Sequence, residues 1–334
     1  MNDVTLELSS PRGVAAFRRP RVDMPSFFRQ RPRHEQMVVT LSPASVGFVQ
    51  VRRTGGKPAV TRFELHEIDA SNASPLRTLG RKLRVDRYRM ATLLNAGEYQ
   101  MISIEAPNVP PNELRDAVRW RVKDLVNHPV EDITIDVLKV PGTGGASSRN
   151  RWMYAAVAHN DIIRARMKLF QDAKYDLSVI DIPEMAQRNV AALLEAPGQC
   201  LALLSFDEAS ALLTITLEGE LYFSRRLSIA GPQFTQADEA ERQLNRLTIE
   251  LQRSLDHFDR QFAFLAITRL VLAPLPDAPK VAQAIARDIS LPVDALDLGD
   301  IFDLSQAPEL KKPHQQSRFF LALGAGLRLE EPAT

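Results

Sequence analysis

Cysteine is almost absent from this chain of 334 residues: Cys200 stands alone in an apolar run. One thiol builds neither a disulfide framework nor a Cys-based zinc site, and it suits a reducing compartment. Cys200 itself reads as a small buried residue. Glycine is scarce too, at 15 residues where average usage would give roughly 23, and phosphate-cradling loops depend on glycine. Neither charge dominates: 42 Lys and Arg face 41 Asp and Glu, a net charge of +1, so no global field recruits nucleic acid or an anionic membrane. No apolar stretch is long enough to span a bilayer. Residues 201–217 and 262–275 are broken by Asp207–Glu208 and Arg269, and the first 30 residues lack the apolar core of a secretory signal. His34, His66, His128, His159, His257 and His314 are scattered without metal-ligand spacing, so no metal is expected. The run Gly142–Ser148 lacks the Gly-Lys-Ser/Thr ending of a phosphate loop and reads as an inter-strand connection.

What is present is an α/β pattern. Residues 1–36 form a basic tail of poor order, with Arg12, Arg18, Arg19, Arg21, Arg29, Arg31 and Arg33 among four prolines. It reads as loosely lipid-attracting, as a solvated extension, or as sequence upstream of a start at Met24. From Met37 the chain reads as a first lobe over 37–200. Two β segments span 38–51, a strand follows over 59–65, then a helix over 75–95 and a strand at 99–105 in the same mixed sheet. A small inserted α/β module occupies about 107–176. Its first helix carries Leu114, Val118, Val122 and Leu125 on one face. Two strands follow, then a helix capped by Asn160 with Ile163, Met167 and Phe170 on one side. A second lobe over 201–314 repeats the opening: three hairpin-joined strands, turning at Glu218–Gly219, then a helix over about 235–264 with apolar residues from Leu244 to Phe262 at three- and four-residue steps. Strand, helix and strand follow, and a closing helix over 315–330 packs back on the first lobe.

Four segments carry a family resemblance: VVTLSPASVGFVQV at 38–51, IEAPNVPPNELRDAVRWRVKDLV at 104–126, IELQRSLDHFDRQF at 249–262 and FFLALGAGLRL at 319–329. Together they resemble the PilM family of type IV pilus biogenesis, and within it the MshI-type proteins of the MSHA pilus. The resemblance implies an actin-like ATPase (ribonuclease H-like) two-lobed fold with a small inserted subdomain. It also implies a place at the cytoplasmic face of the inner membrane, beside other pilus platform proteins.

The departures from that family pattern bear on activity. Thr40 stands where the first phosphate hairpin would carry Asp. Ser42 replaces its Gly and precedes Pro43, which has no N–H to offer. In the second hairpin Ser205 replaces Asp and Asp207 replaces Gly, so Asp207 and Glu208 bring negative charge to where phosphates would sit. Ala273–Pro274–Leu275 replaces the adenosine-side Gly-Gly. No enzyme activity and no cofactor is therefore expected, although Glu250, Arg253 and Ser254 keep the pattern that faces a nucleoside in related folds. They read either as a residual nucleoside site or, for Glu250 and Arg253, as a surface ion pair. By the same resemblance the partner is the N-terminal tail of a PilN-like or MshJ-like inner-membrane protein, with Arg115, Arg119, Trp120 and Lys123 as contact residues. Trp120 reads either as an exposed anchor or as packing against the sheet. The alternatives are an ATP-binding switch requiring Mg·ATP, or a GspL-like secretion platform component, which usually continues into a membrane helix.

Overall fold

The computed structural model describes residues 36–328, except 54, 70, 142–151, 209 and 230–236. Residues 1–35 of the basic tail expected over 1–36, the Gly142–Ser148 run and Leu329 at the end of the fourth family-like segment lie outside the described residues, while Gln36 already belongs to the first strand.

The first lobe is a five-stranded sheet. Strands β1 (Gln36–Ser42), β2 (Ser45–Arg52) and β3 (Ala59–His66) form an antiparallel meander. Helix α1 (Ala73–Leu83) starts on Asn72, whose side chain accepts from the Ser74 N–H. It stops at Arg84, which takes the left-handed conformation with φ 54°. The single helix expected over 75–95 is thus half that length. Beyond a short 3-10 turn, Arg89–Leu93 is strand β4, parallel to β1. The periodicity hid this break because Leu79, Leu83, Val85 and Met90 are all buried in one cluster and their spacing fits a helix.

The chain then leaves the sheet. Strand β5 (Tyr99–Glu105) pairs with β7, not with the first-lobe sheet where the alternation placed it. The inserted sheet therefore begins at Tyr99, ahead of the boundary at about 107. It consists of β5, β6 (Ile133–Lys139) and β7 (Trp152–His159) in the order β5-β7-β6, with helix α2 (Leu114–Val122) on one face. Val118 and Val122 bury there, but α2 stops short of Leu125, which is exposed. Helix α3 (Asn160–Ala173) is capped by the His159 ring, which accepts from the Asp161 N–H, and not by Asn160, whose amide bonds to Glu131 and Thr134. Phe170 is buried, whereas Met167 lies outward. Strand β8 (Leu177–Asp181) returns to the first sheet, giving the order β3-β2-β1-β4-β8.

Helix α4 (Pro183–Ala191) leads into the second lobe, where β9 (Cys200–Phe206), β10 (Ala211–Leu217) and β11 (Glu220–Leu227) form the second meander. Glu218 and Gly219 both have positive φ, the geometry of a tight two-residue hairpin. Helix α5 (Ala237–Gln261), β12 (Ile267–Leu272), α6 (Ala278–Ile285) and β13 (Val293–Ala295) complete a sheet of order β11-β10-β9-β12-β13. The two sheets share one topology, and this repeated order is the actin-like two-lobed α/β fold. A short helix α7 (Leu298–Ile301) and an irregular stretch to Lys311 follow, with Asp303 bridging Ala59 on β3. Helix α8 (Pro313–Gly326) closes the described chain.

Strand alternation stacks these elements in layers. Met37, Val39, Val46 and Phe48 pack with Leu76, Leu79 and Phe170 from α1 and α3. Val38 and Val49 of the first sheet, with Leu201, Leu203 and Val271 of the second, close on α4 and α8 between them. Ala202, Leu204, Leu270 and Leu272 face Leu247, Leu251 and Phe258 of α5 and Val281 and Ile285 of α6. At Gly324 an added Cβ would strike the backbone carbonyl of Ala186, so α4 and α8 cross with their backbones in close approach.

Candidate functional site

Helix α4 lies between the lobes, so most of its residues are buried and each polar one needs a partner. Gln187 donates to the carbonyls of Leu203 and Leu212 and to Thr214 Oγ1, and accepts from Ser205 Oγ at 2.5 Å. Ser205, at the expected Asp position, is thus engaged inside the protein. Glu184 is fully buried. It accepts a hydrogen bond from the Tyr99 hydroxyl and pairs with Arg226 of β11 at 3.4 Å. Arg226 also reaches Asp207 at 3.3 Å and lies over the Tyr99 ring at 5.4 Å. The Asp207 carboxylate accepts from the Ser210 N–H at 2.6 Å and from its hydroxyl at 3.0 Å, closing the β9–β10 turn.

One guanidinium therefore ties together the second hairpin, the connecting helix and the first strand of the insert. Burial, then the Glu184 charge, pushes the Tyr99 hydroxyl far above its ordinary range, so it stays a donor. Burial works against the charged form of Arg226, but Tyr99, Glu184 and Asp207 outweigh it and hold it protonated. Tyr154, buried nearby, is pushed up to about 12 by burial, and its hydroxyl accepts from the Ser224 N–H at 3.1 Å.

The first hairpin is closed by hydroxyls. Ser42 Oγ and Ser45 Oγ lie 2.6 Å apart, and Arg318 of α8 donates to Ser45 Oγ. Thr40 Oγ1 and the Phe319 ring fill the space beside Gly47. Ala273, Pro274 and Leu275 are buried, and the Ala273 N–H donates to the Leu204 carbonyl at 2.8 Å. Among the described residues no cluster of three or more His, Cys, Asp or Glu is arranged to hold a metal ion.

The nucleoside-side trio comes together, but on itself. Glu250 pairs with Arg253 at 2.8 Å and with Arg225 at 3.2 Å. The buried Ser254 turns its hydroxyl onto the Glu250 carbonyl at 2.6 Å. On α2, Arg115 pairs with Asp136 at 3.1 Å, and Arg119 donates to the Val130 and Ile133 carbonyls, at 2.7 and 3.2 Å. Trp120 is 63% exposed, with the Lys123 ammonium 5.6 Å from its ring. It does not pack against the sheet.

Sequence reading missed Tyr99, Glu184 and Arg226. Glu184 directly after a helix-opening proline and the arginine pair at 225–226 were visible as oddities. Their contact joins residues 42 and 127 positions apart, which no local pattern reports.

A family model for the type IV pilus assembly protein PilM matches residues 56–297. A solved PilM–PilN type IV pilus biogenesis complex is similar in structure, with TM-score 0.68, 19% identity, and coverage of 89% of this chain and 100% of that one. A protein of actin-like ATPase fold from Bacteroides thetaiotaomicron aligns with TM-score 0.46 and 10% identity, covering 87% of this chain and 100% of that one. The cytoplasmic domain of EpsL, an inner-membrane component of the Vibrio cholerae type II secretion system, aligns with TM-score 0.45 and 15% identity over 76% and 94%. No curated protein matches the sequence.

Proposed function

From the premise that this chain belongs to the type IV pilus assembly protein PilM family, we propose that it is a non-catalytic scaffold of the pilus assembly platform. It works at the cytoplasmic face of the inner membrane and docks the N-terminal tail of a PilN-like membrane protein. The observation that carries this reading is Trp120. A large aromatic side chain held in water, on a helix anchored by Val118 and Val122, with Lys123 beside it and Arg115 and Arg119 on the same helix, has the composition of a binding hot spot. Four sequence segments favour the MSHA-type branch, in which the partner is MshJ-like. Among the described residues no helix is long and apolar enough to cross a membrane.

Chemistry at the second hairpin supports this non-catalytic reading. A phosphate entering the second hairpin would meet the Asp207 carboxylate and would have to draw Arg226 away from the buried Glu184. No cofactor is assigned, and Glu250, Arg253 and Ser254 are left as a self-satisfied remnant.

The test is binding of the partner's cytoplasmic tail as a labelled peptide. Trp120→Ala is expected to weaken it by about thirtyfold, a hot-spot loss of roughly 2 kcal/mol, with an unchanged circular dichroism spectrum. Undiminished binding would sink the docking assignment. Millimolar Mg·ATP should leave the melting temperature where it is, whereas a concentration-dependent rise would restore the ATP-switch reading by mass action.

A further inference from the structure

At the end of the first lobe remote from the β1–β2 hairpin, the sequence Arg81-Lys82-Leu83-Arg84-Val85-Asp86-Arg87 closes α1 and turns into β4. Arg81, Lys82, Arg84 and Arg87 are all exposed, and none makes an ion pair with a described residue. Lys174, exposed at the end of α3, joins them, because its neighbour Tyr175 packs on Gly80 and Val85. The acidic residues at this end are Asp86, Asp176 and Asp172, the last of which pairs with Lys168 and also feels Lys174, so the five cations outnumber them on a chain that is nearly neutral overall.

Backbone geometry gives a second, independent observation. Among the described residues four non-glycine residues have positive φ, and two of them are Arg84 (54°) and Lys174 (65°). Each sits at a helix C-terminus, where glycine is the usual occupant because it has no Cβ to clash. A cation has taken the glycine position at both helix ends of this one face. Favourable interaction with the helix C-termini accounts for charge in the last turn of α1, but not for Arg87 beyond it.

We propose that this face is a docking surface for the anionic headgroups of a phospholipid bilayer, contacted directly by the chain and independently of any protein partner. The seven arginines at 12–33 precede β1 in sequence. β1 begins at this same end, with Gln36 in register with Arg89. Several cations of moderate individual effect, acting together, are what surface attraction to acidic lipid requires. Nucleic acid is the poorer fit: no exposed aromatic side chain stands among the cations to stack on a base, and the sequence pI of about 7.9 is not that of a nucleic-acid-binding chain. The β1–β2 hairpin lies at the opposite end of β1, about 20 Å away for a strand of this length, so the lobe can rest on a membrane with that hairpin free.

The experiment is co-sedimentation of the purified full-length chain, without partner, on vesicles of phosphatidylcholine with or without 30% phosphatidylglycerol (about a third anionic). Retention is expected on the anionic vesicles only, and is expected to be lost in high salt. The decisive variant is Arg84→Gly with Lys174→Gly. Each substitution relieves a strained backbone, so the melting temperature should rise, while partitioning should fall by about twenty-fivefold, roughly fivefold for each cation. A merely structural role would move only the melting temperature. Unchanged partitioning, equal retention on neutral vesicles, or preferential binding of a single-stranded RNA competitor would overturn the proposal. So would loss of retention on deleting residues 2–35 when the double variant is fully retained.

Discussion

The two lobes share a strand order and differ in how their first hairpins are held. In the first lobe the β1–β2 turn is closed by hydroxyls, Ser42 to Ser45, with Arg318 donating from α8. In the second, the β9–β10 turn is closed by the Asp207 carboxylate, and its counter-charge, Arg226, is shared with the buried Glu184. The same topology therefore carries a clasp of hydroxyls reached by one exposed guanidinium in the first lobe and a clasp of paired, partly buried charges in the second. Hydrogen bonds at a partly exposed turn are each of modest net worth, and removing an exposed guanidinium leaves no buried charge behind. A charge that keeps a buried carboxylate paired is costly to remove, because the survivor is left without compensation. The second lobe is thus fastened to the connector and the insert more firmly than the first hairpin is fastened to α8.

The sharpest way to break this comparison is to remove both arginines separately. Arg226→Ala should lower stability by about 3 kcal/mol, since Glu184 loses its cation in the interior. Arg318→Ala, which removes a guanidinium hydrogen bond to Ser45 and the contact with the Phe319 ring, should lower it by only about 1.5 kcal/mol, since Arg318 is exposed and no buried charge is left behind. Urea unfolding of the two variants reads the difference, and equal losses would end the distinction between the clasps. Next in size, Gly324→Ala strikes the layer both lobes share. A methyl group driven into the Ala186 carbonyl should destabilise by roughly 2 kcal/mol as an overpacking change, measured in the same assay. If it is tolerated, α4 and α8 are freer to separate than their backbones suggest.

Titration sharpens the contrast further. The tyrosines around the charged clasp have hydroxyls raised by burial, Tyr154 to about 12. A raised folded-state value means stability fully present below about pH 10, the unfolded value, and lost as the pH rises through about 12. Alkaline unfolding followed by tyrosinate absorbance should show this limb, and Tyr154→Phe should weaken it. The smallest effect belongs to the first lobe. Burial pushes the Glu64 carboxyl upward, but hydrogen bonds from Arg62 at 2.7 Å and His66 at 2.9 Å outweigh it and leave it lowered. Its contribution is therefore present above the ordinary carboxylate range and fades as the pH falls below it. Glu64→Gln should flatten the acid limb of a melting-temperature profile slightly, and a steeper limb would contradict the assignment.

Much of the fold was legible because it is written in short-range patterns. The hairpins of both lobes, the long α5 with Leu247, Leu251 and Phe258 at helical spacing, and the Glu218–Gly219 turn all follow from neighbours in sequence. The break of the α1 region into helix and β4 was not legible, since the apolar residues on both sides of Arg84 enter one cluster and keep a helical rhythm. The assignment of β5 was also hidden: alternation identifies a strand but not the sheet it joins. For the site, sequence reading singled out the two hairpins and the α2 residues as candidates. It left open which way Trp120 pointed and gave no sign that Asp207, placed by composition as a repulsive charge, has a resident cation.

By itself, then, the sequence determined that this protein is an α/β chain with a duplicated opening, one inserted module and hairpins poor in glycine, because secondary structure and backbone freedom are set over a few residues. Only the tertiary structure decided that Arg226 neutralises Asp207, that Trp120 stands in water, and that cations at two distant helix ends meet on one face. Those outcomes depend on which elements pack together. Charges separated by tens of residues interact only once the core has fixed their distance.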